Sequence, residues 1–130
     1  MNPITYNWVG GSAGSTGANN GNGTTWMVSD FGGGVSSTPM NYMSILVGDT
    51  IYYDADDGGR ELWAHDTSNS STWQVANINS VGGAGSSAGQ YMNILVGDTL
   101  YFSANDGTIS GTELWAHDTS NSSTWQVANI

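Results

Sequence analysis

The 130-residue chain has no cysteine and no lysine, and Arg60 is its only basic side chain against eleven carboxylates. Each shortage excludes something. Without cysteine there is no disulfide framework, zinc–thiolate site or cysteine nucleophile. A net charge of −10 repels phosphate, which argues against nucleic-acid binding and against anionic membrane surfaces. No apolar run approaches the roughly 18 residues of a membrane span, so no membrane insertion is expected. The opening Met1-Asn2-Pro3 lacks a basic stretch followed by an apolar one, so no signal peptide is visible. Helical spacing is missing too: no window holds apolar residues at i, i+3, i+4, i+7, and the 19 glycines interrupt most windows.

What the chain does have is repetition. Residues 61–78 and 113–130 both read ELWAHDTSNSSTWQVANI, and ILVGDT occurs at 45–50 and 94–99. The period is 49 residues from Ile45 to Ile94 and 52 from Glu61 to Glu113. The difference lies in one Gly/Asp-rich stretch, as a surface loop tolerates. A diverged copy precedes these two. Trp8 aligns with Trp63 and Trp115, and Trp26 aligns with Trp73 and Trp125. The Trp–Trp gap is 10 residues in the good copies and 18 in the first, which carries a Gly/Asn/Ser-rich insertion. The organisation expected is a half repeat over 1–43, repeat 1 over 44–92 and repeat 2 over 93–130.

Each repeat reads as four short strands, at 44–47, 50–55, 61–66 and 72–78 in the first. TIYYDA and TLYFSA are rich in β-branched and aromatic residues that suit a half-buried pleat. Gly48-Asp49 and Asp57-Gly58 mark turns. The expected class is all-β, about ten strands in repeated four-stranded antiparallel units resembling β-propeller blades. A closed propeller needs about four blades or more. Two and a half repeats therefore call for closure or extension by oligomerisation, as a ring or a filament.

The segment VGDTLYFSANDG…GTELWAHDT at 96–119 resembles a repeat of large bacterial surface proteins, whose pattern runs VGDTLYFSADDG…GTELWKSDGT. The resemblance covers 45–130 well and 4–31 weakly. It implies a propeller-like, extracellular or cell-surface, non-enzymatic and adhesive protein. The chain departs from the pattern after Asp66 and Asp118, where Asp-Thr-Ser replaces Asp-Gly-Thr, and it lacks the family's basic residues.

Four sets of residues are candidate sites. Asp54, Asp56 and Asp57, with Asn105 and Asp106 in repeat 2, offer oxygen ligands before a glycine turn. Ca2+, which takes 6–8 oxygens, is the candidate cofactor, against the alternative of a solvated turn. Asn22, Asn69 and Asn121 head N-x-Ser/Thr sequons, each four residues before an aligned tryptophan, and are candidate glycosylation sites. Trp63, Trp73, Trp115 and Trp125 are candidate sugar-stacking platforms, against the alternative of packing between sheets. His65 and His117, each followed by aspartate, have no accompanying nucleophile elbow, so no catalytic residue is assigned. The function expected is a non-enzymatic extracellular structural or adhesive protein that assembles with itself. The alternative is a carbohydrate-binding propeller that forms a ring and takes glycans as partners.

Overall fold

The structure, a computed structural model, describes residues 25–31 and 36–130. The chain divides into two compact units, Met1–Asp30 and Phe31–Ile130. The half repeat's Trp8, Asn22 and Gly/Asn/Ser-rich insertion lie outside the described residues. In the first unit, residues 25–30 form no strand, although the alignment of Trp26 with Trp73 of the fourth strand would put one there. A strand is held by its neighbour, and the partner expected for this one, around Trp8, also lies outside the described residues.

The second unit is all-β, with no helix among the described residues. Eight strands run in chain order: β1 Ser44–Val47, β2 Thr50–Asp56, β3 Arg60–Asp66, β4 Ser71–Ala76, β5 Asn93–Val96, β6 Thr99–Asn105, β7 Thr112–Asp118 and β8 Ser123–Ala128. They form two four-stranded antiparallel meanders, β1-β2-β3-β4 and β5-β6-β7-β8. The first turn of each meander needs glycine. Gly48 and Gly97 sit first in two-residue loops at φ 61°, the left-handed geometry that tight hairpins require. Thr67 and Thr119 then donate N–H and Oγ1 to the carbonyls of Asp49 and Asp98, tying the first turn of each sheet to its third strand. Both meanders carry a register shift at the same place, Leu62/Trp63 and Leu114/Trp115.

Alternation along the strands gives each sheet two unlike faces. In the first sheet one face carries Ile45, Val47, Tyr52, Leu62 and Ala64, and the other carries Leu46, Ile51, Tyr53, Trp63 and His65. We call these the Tyr52 and Tyr53 faces. Their counterparts in the second sheet are the Tyr101 face, with Ile94, Val96, Leu114 and Ala116, and the Phe102 face, with Leu95, Leu100, Trp115 and His117. The core joins Met43, Tyr52, Leu62, Ala64, Ile78, Ala88, Leu100, Phe102 and Ala104, with Ile45, Val47, Leu95 and Trp115 packed on it. The Tyr52 face of one sheet is therefore seated on the Phe102 face of the next. The Tyr52 and His117 rings meet at 5.5 Å, and Asn93 Nδ2 donates to the Tyr42 carbonyl across the junction. The stacking is head to tail.

The connection 77–92 is stitched to both sheets. Ser87 N donates to the Arg60 carbonyl, Asn105 N to the Ser86 carbonyl and Gly89 N to the Ser103 carbonyl. The approach at Gly85 is so close that a Cβ there would lie 1.9 Å from Arg60 N.

Candidate functional site

The acidic loop of repeat 1 does not act as one cluster. Asp54 is fully buried. Its Oδ1 accepts the Tyr42 and Met43 N–H groups, both at 2.7 Å, and its Oδ2 pairs with Arg60. Arg60 also donates to the Thr38 carbonyl at 3.0 Å and to Thr38 Oγ1, and its guanidinium lies 5.2 Å from the Tyr42 ring centroid. The chain's single cation thus anchors the segment leading into β1. Asp56, at the strand end, accepts the Gly59 N–H at 2.9 Å. Asp57 is exposed at the turn.

Repeat 2 solves the same problem without charge. Ser103 stands where Asp54 stands, and its Oγ accepts the Tyr91 and Met92 N–H groups at 3.0 and 3.4 Å. Asn105 Oδ1 accepts Gly107 N, and Asp106 Oδ1 accepts both Thr108 N and Thr108 Oγ1. Those Thr108 bonds hold the Asp106 carboxyl below the usual carboxylate range. Among the described residues, no three His, Asp or Glu side chains converge as a metal-holding group.

Two glutamates to which the sequence assigns no site prove structural. Glu61 is buried, and its two oxygens each accept a backbone N–H at 3.0 Å, from Ile78 and Asn79. Burial pushes its carboxyl up, and these bonds partly offset that. Glu113 Oε2 accepts Ile130 N at 2.6 Å in the same arrangement. A signal for them was available: in both repeats the Glu stands 17 residues before the Ile whose N–H it holds. Glu61 borders a polar cleft of about 250 Å³ lined by Asp57, Gln74, Asn77, Asn79 and Ser80.

The tryptophans divide into two pairs. Trp63 packs edge-on against Phe31 at 4.7 Å, and Trp115 packs on the core between the sheets. Their indole N–H groups are buried and have no hydrogen-bond partner among the described residues. Trp73 and Trp125, on the outer strands, are 40% and 41% exposed. The close match means that packing a second sheet on the first does not cover this position. Asn69 and Asn121 are exposed in the β3–β4 and β7–β8 turns, with Oδ1 accepting Ser71 N and Ser123 N.

His65 and His117 each bond a strand neighbour through Nδ1, Thr72 Oγ1 at 2.8 Å and Thr124 Oγ1 at 2.7 Å. His117 is buried at the sheet junction, which pushes its ring pKa down, with Asp118 opposing. The repeated pairing is a structural cross-strand contact of the kind that stabilises sheets.

No protein-family model, no curated protein and no solved structure matches the chain.

Proposed function

We propose that this is a non-enzymatic, extracellular structural or adhesive protein whose four-stranded units are propeller-like blades. It assembles with copies of itself into a filament or surface assembly. The observation carrying this reading is the head-to-tail stack of two near-identical sheets. Stacking of this kind leaves unlike faces at its two ends, and a heterologous contact that repeats between copies builds a ring or an open filament. Divalent cations enter as screening ions. Ca2+ should enlarge particles no more than monovalent salt of equal ionic strength does, and a larger effect would point to coordination at Asp57 or Asp106. Sedimentation velocity and negative-stain electron microscopy test the proposal. Concentration-dependent growth to large particles or fibres is expected, and a monomer at every concentration would refute it.

A second reading, a carbohydrate-binding module, draws support from Trp73 and Trp125. Both are partly exposed at equivalent positions, and an exposed indole face stacks well on sugars. Glycan-array binding by the parent, lost in Trp73→Ala/Trp125→Ala, would favour it.

A further inference from the structure

The two repeats share residues but not surroundings. On the Tyr52 face of the first sheet, Tyr52, Leu62 and Ala64 are buried, and Ile45 and Val47 pack on the core beneath the second sheet. On the Tyr101 face the matching Ile94 and Val96 are 54% and 58% exposed, and Tyr101 and Leu114 are only half-buried. This apolar face also carries less charge than its covered counterpart, with Ser103 and Asn105 at the positions of Asp54 and Asp56.

At the other end of the stack, the Tyr53 face meets Phe31 only at Tyr53 and Trp63 among the described aromatic contacts. Beyond them Leu46 is 63% exposed, and Ile51 and His65 are half-buried. Their counterparts Leu100 and His117 are buried inside the junction. Tyr53, Ala55 and Glu61 are buried on this face, but among the described residues the Phe31–Ile130 unit still carries, around Leu46, Ile51 and His65 at one end and Ile94 and Val96 at the other, both halves of a contact that it already makes once internally.

We propose that the Tyr101 face of one copy seats on the Tyr53 face of a second copy, in the register of the internal junction. Tyr101 then lies against the partner copy's His65 as Tyr52 lies against His117, and Ile94 and Val96 cover Leu46 and Ile51. This rests on the self-assembly reading and adds the surface, its polarity and its residues. The occupant is a second copy because the face has the composition of the Tyr52 face, and what covers the Tyr52 face is a sheet of nearly the same sequence.

The test uses full chains carrying Ile94→Asp or Leu46→Asp, both exposed positions that leave the fold intact, checked by circular dichroism. Ile109→Asp, on a fully exposed loop residue, controls for added charge. Each face variant should weaken association by about a hundredfold or more, because an unpaired carboxylate is buried in the contact. The loop variant should assemble like the parent. Mixed together, the two face variants should form a one-to-one pair and stop, since each retains the face the other lacks. Assembly that persists in both face variants would overturn the contact and leave the self-assembly reading standing. A mixture that stays monomeric would overturn the head-to-tail polarity. Loss in the loop variant as well would show net charge at work and overturn the assignment. A parent chain that never associates would instead refute the self-assembly reading itself.

Discussion

The pair Asp54–Arg60 and its neutral replacement in repeat 2 form a natural double-mutant cycle. Arg60→Thr installs the residue found at the equivalent position 112 and leaves Asp54 fully buried, with two N–H donors but no counter-charge. Removing one partner of a buried pair costs about 3–5 kcal/mol. Arg60 retains some solvent access, at 12% exposure, which places the expected loss near the lower bound, about 3 kcal/mol. Asp54→Ser keeps an acceptor for the two N–H groups, as Ser103 does. It leaves Arg60 with Thr38, the Tyr42 ring and water, and should cost about 1–2 kcal/mol. The double variant reproduces the neutral arrangement of repeat 2 and should lie within about 1 kcal/mol of the parent. The coupling is therefore about 3–5 kcal/mol, well above the additivity error of about 0.5 kcal/mol. Urea unfolding followed by tryptophan fluorescence, at one fixed protein concentration, reads all four corners. If Arg60→Thr alone does not fold, the double variant should regain a cooperative transition. A double variant as unstable as the two single losses added together would refute the reasoning.

Three further outcomes are expected. Gly85→Ala should destabilise by about 3 kcal/mol or more, because its Cβ would meet the rigid Arg60 backbone. Gly82→Ala, with open space but φ +54°, should cost only about 1 kcal/mol, and equal thermal shifts for the two would contradict the packing described. His117 titrates below its ordinary value of 6.5, since burial disfavours the charged ring. Its contribution is thus complete above that value and lost as pH falls through it. The melting temperature should fall as pH is lowered below about 6.5, less so in His117→Gln; an imidazole NMR signal titrating above 6.5 would contradict this. Raising salt from about 10 mM to about 150 mM should increase particle size, as the repulsion between copies of charge −10 is screened. Size independent of salt would leave the contact to apolar packing and backbone pairing alone.

The strands were legible because their signals are local. Val-Gly-Asp-Thr fixes a hairpin turn, and the β-branched and aromatic runs beside it suit a pleat whichever sheet covers them. The role of Asp54 was not legible from its own loop, since an aspartate before Asp-Gly suits a metal, a turn or a buried pair equally well. The deciding signal was spread between repeats: Asp54 and Arg60 are both present in the first and both replaced, by Ser103 and Thr112, in the second. Paired loss of opposite charges is what a shared contact leaves behind. Which face of each sheet meets its neighbour was hidden for another reason. Ile45 and Leu46 are both apolar, as are Tyr52 and Tyr53, so alternation carries no inside and outside here. Only the junction distinguishes Tyr52, against His117, from Tyr53, against Phe31.

The stitched connection between the sheets has a consequence for how such a chain changes length. The bonds that seat the second sheet on the first run only between neighbouring repeats and the connections that precede and join them. An in-frame gain of a whole repeat, from one VGDT turn to the next, would therefore leave both terminal faces chemically unchanged. Repeat number can then grow without a new kind of contact having to be built. A chain with one more repeat should stack, and join its neighbours, by the same contact as this one.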